Sequence, residues 1–311
     1  MKRQILAAVA LGAIVLAACG SDTKSASTTA APTTAAGTTT TAAPSTTGAS
    51  GTDAAACAKG KTLADGALTI ATGNPAYPPY VIDDKPESGK GFEAALALAV
   101  AKQMGFEGTA VKWIRTDFDT VAAGTSTDKF DFNLQQFSIN PDRVKVVSFS
   151  DPYYTANQAV LGYKDGPGKN VKTLADLKKL KLGAAAGTTS LQFIQDVIKP
   201  TVEPFAFNSN ADAKTALDNK QIEAIITDLP TALYIATGSA NGGIDNTQVF
   251  GQFPVSAGGA GDQWGLLFKK DNPLVACANI ALKNLKDSGD LDKITQQWMA
   301  DFNKAPTLPA S

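Results

Sequence analysis

The chain has 311 residues, with 28 Lys and Arg against 29 Asp and Glu, a formal net charge of −1, three Cys and no His. Balanced charge argues against nucleic acid or an anionic lipid surface as partner. The missing His excludes Ser-His-Asp and Cys-His catalytic sites and leaves little from which to build a zinc site, so no cofactor or metal is expected.

Met1-Lys2-Arg3 opens the chain with positive charge, and an uncharged run follows from Gln4 to Ala18. That run is short of the ~20 apolar residues a membrane span needs and suits a signal peptide over residues 1–18. Its end, Leu16-Ala17-Ala18-Cys19, resembles the lipobox of bacterial lipoproteins. The resemblance implies acylation of Cys19, cleavage just before it, and a lipid anchor on the extracytoplasmic face of the membrane. An ordinary secretory signal with a chance Cys is the alternative.

From Ser21 to Ser50, 24 of 30 residues are Thr, Ser or Ala. Such a stretch buries too little surface to offset its ordering entropy, and a disordered linker is expected over 19–56. The folded part then covers about 57–304, enough for two lobes, with 305–311 as a tail. Cys57 and Cys277 form an even pair in an exported chain, which favours a disulfide over two independent thiols.

Strand-like and helical runs alternate through the folded part. LTIAT (68–72) leads through a Pro-rich turn to a helix at Phe92–Met104, stopped by Gly105. TAVKW (109–113), a short helix after Thr116, and FDFNL (130–134) follow, and then VKVVSF (144–149) as a strand. KLGAAA (181–186) runs into a helix near Thr188, and QIEAII (221–226) into one near Leu229. The alternation predicts an α/β fold of mostly parallel sheets flanked by helices. Ligands of such sheets sit at the carboxyl ends of the strands.

That rule selects four segments: Asn74–Tyr80, Gln135–Arg143, Gly187–Ser190 and Thr227-Asp228. Arg143 is one of only three arginines, with Arg3 and Arg115, in a chain that otherwise uses Lys. Its planar fork pairs with a carboxylate through two hydrogen bonds, which Lys cannot do. A helix entered through Gly-Thr-Thr offers free backbone N–H groups to the same anion. Asp228 at another strand end would pair with a cation. Carboxylate and ammonium together describe an α-amino acid, although an N-cap, a turn and a surface ion pair explain each feature singly.

Six motifs in order, TGNPAYPPY (72–80), GFE (91–93), SINPDR (138–143), FSDPYY (149–154), AGTT (186–189) and IEAIITD (222–228), resemble the polar amino-acid-binding proteins of ABC importers, solute-binding protein family 3. The resemblance spans residues 63–302. It implies a two-lobe periplasmic-binding-protein fold of type II, with lobe 1 from 57–154 plus 257–304 and lobe 2 from 155–256. A two-strand hinge would join lobes that close over the ligand. It further implies a monomer that delivers its amino acid to ABC permease subunits.

Carried over by residue, Arg143 with Thr188, Thr189 and Ser138 would take the α-carboxylate. Asp228, helped by Ser138 and the Gln136 carbonyl, would take the α-ammonium. Tyr77 would lie over the ligand, with Tyr80, Phe118, Asn74 and Gln135 as side-chain selectors. Tyr153 and Tyr154 are assigned to packing at the crossing, and Glu93 to the start of its helix. Asn74 stands where many relatives carry Asp, Gln135-Gln136 replaces small residues, Asn140 replaces Thr, and AGTT lacks a preceding Gln. These departures favour a neutral polar or acidic amino acid. The rival is an enzyme of the cyclohexadienyl or arogenate dehydratase kind on the same fold. It would need Asp228 both to pair with an ammonium and to act as general acid.

Overall fold

The computed structural model describes residues 53–253 and 261–309. The signal segment, Cys19, most of the linker and the lobe boundary expected at 256/257 lie outside these residues.

The strands are Leu68–Gly73 (β1), Val111–Thr116 (β2), Phe132–Asn133 (β3), Val147–Phe149 (β4), Tyr154–Ala156 (β5), Gln158–Tyr163 (β6), Leu182–Ala185 (β7), Phe205–Phe207 (β8), Ala224–Asp228 (β9), Thr247–Phe253 (β10), Asp262–Trp264 (β11) and Leu267–Lys269 (β12). The helices are Ala54–Ala58 (α1), Phe92–Gln103 (α2), Phe118–Ala122 (α3), Arg143–Val146 (α4), Leu174–Leu177 (α5), Thr189–Phe193 (α6), Asn210–Asp218 (α7), Leu229–Ile235 (α8), Leu274–Asp287 (α9) and Asp290–Met299 (α10).

Two five-stranded sheets form the two lobes, in the orders β2-β1-β3-β12-β4 and β10-β6-β9-β7-β8. In the first sheet β12 alone runs against its neighbours, and in the second β6 alone does. The cause is the chain path. Both reversed strands follow a crossing through the two-stranded sheet of β5 and β11, so they start at the edge where the parallel strands end.

Helices cover the sheets because β1 and β7 are buried along nearly their whole length. The Phe92–Gln103 run is apolar almost all round, as befits a helix packed between sheet and α9. Its entry needs Gly91. There φ is +106°, and a Cβ would lie 2.4 Å from the Tyr80 carbonyl oxygen.

Three segments differ from the sequence reading. The linker expected to run to residue 56 is ordered from Asp53, whose carboxylate accepts from Ala55 N and Ala56 N and caps α1. In agreement with the sequence reading, Cys57 on α1 and Cys277 on α9 are joined as a disulfide, with Cα atoms 5.4 Å apart. VKVVSF is half strand: residues 143–146 form a helical turn because Asn140 Oδ1 accepts from Asp142 N and Arg143 N, and only Val147–Phe149 is extended. The tail is docked rather than loose. Thr307 bridges Gln252 of β10, Leu308 is buried in the second lobe, and Gln252 Nε2 donates to the Ala305 carbonyl at 2.7 Å.

Candidate functional site

The strand ends meet in a cleft of about 510 Å³ between the lobes. Asn74, Tyr77, Phe118, Gln135, Gln136, Ser138 and Arg143 line it from one side, and Thr188, Thr189 and Asp228 from the other. Tyr80 does not line it. Its ring is buried edge-on against Trp264 at 5.7 Å, and its hydroxyl pairs with Thr231 Oγ1 at 2.9 Å. It ties the lobes together instead of reading a ligand.

Arg143 is 6% exposed and sits 5.2 Å over the Phe118 ring, which stacks in turn on Phe137. One guanidinium nitrogen donates to the Ser138 carbonyl at 2.8 Å and another to the Gly187 carbonyl at 2.9 Å, across the lobes. Burial lowers its pKa to about 10, opposed by the charges of Asp262 and Asp228, so it stays a cation at neutral pH. Thr188 caps α6, its hydroxyl accepting from Leu191 N at 3.1 Å and donating to the Ala185 carbonyl at 2.6 Å.

Gln136 has a left-handed backbone, φ +52°, and Glu93 holds it there. The Glu93 carboxylate accepts from Gln136 N at 2.8 Å, from the Gln136 side-chain amide, and from the Tyr153 hydroxyl. Burial raises its pKa to about 7 against the pull of those donors. Glu93 therefore does more than open a helix: it shapes the first-lobe wall of the cleft. Tyr153 and Tyr154 pack on Phe92 and Trp264 at the crossing.

Two residues were missed in the sequence. Gln158 opens β6 opposite Asp228 in register, and its Nε2 donates to Asp228 Oδ1 at 2.9 Å and to Asp262 Oδ2 at 2.6 Å. Asp262 opens β11 and also accepts from the Thr189 hydroxyl at 3.2 Å. Burial, then the Asp262 charge, hold the Asp228 carboxyl well above the usual carboxylate range, with Arg143 and Gln158 opposing. The signal available was a polar residue at the start of an otherwise apolar strand, QAVLGY, and an acid two places before the buried Trp264.

A cleft at the strand ends of two lobes joined by crossing strands agrees with a sequence comparison: the profile of the bacterial extracellular solute-binding proteins, family 3, matches residues 68–301. The chain belongs to this family. Among relatives of this family-3 protein, the ABC transporter arginine-binding protein 1 of Escherichia coli K12 is 31% identical over 228 residues, covering 71% of this chain and 86% of that protein. An ancestral arginine-binding protein bound to arginine superposes with TM-score 0.63 at 31% identity, over 75% of this chain and 98% of that one. An ancestral amino acid-binding protein described as a precursor of cyclohexadienyl dehydratase gives TM-score 0.62 at 31% identity, over 75% and 95%. The family-3 protein thus has binding proteins as relatives, and its extracellular setting follows from the family.

Proposed function

We propose that this family-3 protein captures a cationic α-amino acid outside the cytoplasm and hands it to an ABC importer. The carrying observation is the charge of the cleft. Asp117, Asp119, Asp212 and Asp228 line it, and among the described lining residues Arg143 is the one base. Arg143, with the N–H groups at the start of α6, suits the α-carboxylate, and Asp228 the α-ammonium. That leaves rim carboxylates facing the side chain, so a second positive charge fits where a second negative one is repelled. The neutral or acidic side chain inferred from Asn74 gives way here, because Asp117, Asp119 and Asp212 replace the single carboxylate that position lacks. Relatives named as arginine-binding support the same reading.

A neutral polar amino acid is the second reading, favoured by the amides of Gln135, Gln136 and Asn74 on one wall. Thermal shift on ligand-stripped protein separates the two, since a ligand of the folded state raises Tm with its concentration. Arginine, lysine and ornithine are expected to give the largest shifts. A shift by glutamine or citrulline alone replaces the cationic class, and turnover of arogenate replaces the carrier by a dehydratase. For the site, Cys19 is the proposed lipid attachment that keeps the protein at the membrane. Release of a Cys19→Ser protein into the medium checks that, and retention counts against it.

A further inference from the structure

We propose that Asp262 is a positioning residue of the ammonium seat, acting through Gln158 on Asp228 and through Thr189 on the start of α6. The inference rests on the amino-acid reading above and goes further by making the seat a two-carboxylate unit that exchanges a proton for the ligand's ammonium.

The topology places the unit. Parallel strands end at the cleft, so Asp228, the last residue of β9, lies there. The chain enters β6 and β11 at the hinge, so Gln158 and Asp262, the first residues of those strands, lie there as well. Gln158 is 1% exposed and Asp262 9%. One primary amide has two N–H bonds, and here they serve two carboxylates on two different strands. Nε2 rather than the amide oxygen is turned to the two acids. Gln158 Oε1 is accordingly buried with no hydrogen-bond partner among the described residues. Thr189 completes the unit: its hydroxyl donates to the same Asp262 oxygen and lies 3.5 Å from Ser138 Oγ on the other lobe. Asp262 therefore connects the hinge strand to both halves of the ligand seat.

Burial and the Asp262 charge across the shared donor both disfavour ionised Asp228, so its protonated form is favoured while the seat is empty. The groups whose charges bear on Asp228 are Asp262 from β11, Arg143 from α4, Glu93 from α2, and Tyr77, Tyr80, Tyr153 and Tyr154 from the first-lobe loop and the hinge. Burial pushes the four tyrosines up, so they stay neutral. An arriving ammonium takes the role of the proton: the Asp228 carboxyl ionises, its proton leaves to solvent, and no other bond changes.

The test is calorimetric binding of L-arginine, L-lysine and L-glutamine between pH 5 and 8.5, in buffers of different ionisation enthalpy, so that protons released are counted. The wild-type protein is compared with Asp262→Asn and Gln158→Met. In the wild type, binding releases a proton and weakens as pH falls. Asp262→Asn removes a like charge, so the midpoint of that pH dependence moves down and proton release at neutral pH shrinks. At a pH high enough that neither protein releases a proton on binding, Asp262→Asn weakens binding about tenfold, the scale of one hydrogen bond to a charged group. Gln158→Met removes a donor that favours the ionised form, so the midpoint moves up. A hinge brace with no link to the seat moves both variants alike or neither. Equal or absent shifts overturn the proposal while leaving the amino-acid reading standing; failure of the wild-type protein to bind any of the three overturns both.

Discussion

The two walls of the cleft are fixed by different chemistry. On the first-lobe wall, charges do the fixing. Asp84 Oδ1 accepts from Ala76 N and from Arg115, which also donates to the Gly73 carbonyl, so the Asn74–Tyr80 loop is pinned by an ion pair. Glu93 pins Gln136, and Arg143 bonds the Ser138 carbonyl. On the second-lobe wall neutral caps do it. Thr188 caps α6, Ser209 caps α7 by accepting from Asp212 N, and Pro230 sits in the first turn of α8. The charged pins of the first wall should therefore respond to pH and to charge-removing substitutions, and the neutral helix caps of the second should not.

The largest effect is expected from Arg143→Ala, which removes the cation and both of its carbonyl contacts. Amino-acid affinity should fall by about 2–5 kcal/mol, the scale of truncating one partner of a buried charge pair, and calorimetry that finds wild-type affinity would break the comparison at its centre. Glu93 gives a pH signature. Its pKa is raised to about 7 in the folded protein, above its unfolded value. Its contribution is therefore fully present below the unfolded pKa and is lost as pH rises through about 7. That amounts to roughly 3 kcal/mol less unfolding free energy at pH 8 than at pH 4 from this group. Denaturant titrations of Glu93→Gln should show that slope flattened; an unchanged slope means Glu93 titrates normally. Thr188→Ala should cost about 1 kcal/mol of stability, as cap removals do. Across pH 5–8 the loss should stay constant, and a pH-dependent loss would blur the contrast between the walls. Smallest is Arg115→Met. Its ion pair with Asp84 is a third to half exposed, so solvent screening keeps the stability change within about 1 kcal/mol. Slower closing or weaker selectivity in stopped-flow binding would show the loop loosened.

Much of this was legible along the chain, because local signals and strand ends agree. β1, β7 with its capped α6, and α8 after Asp228 follow from short-range pattern, and ten of the eleven ligand-site candidates line one cleft. What escaped depends on partners far away in sequence. Gln158 and Asp262 are 104 residues apart, and no spacing rule connects the start of one crossing strand to the start of the other. Tyr80 looked like Tyr77 three residues before it, yet Tyr77 lines the cleft while Tyr80 packs edge-on against Trp264. VKVVSF has a strand's composition, and a single Asn140 side chain overrides it for one turn.

The docked C-terminal segment changes what opening can mean. The chain leaves α10 in the first lobe and reaches the second beside β10, where Leu308 sits over Gly251 so closely that a Cβ there would meet it at 2.3 Å. Besides the paired strands of the hinge, the lobes thus carry a third tether, docked on Gln252, whose side chain also accepts from Asn157 where the chain passes from β5 to β6. A jaw on two coaxial pins swings freely; one with a strap swings only as far as the strap has slack. Any opening that exceeds the slack of this segment therefore has to peel residues 305–308 from β10.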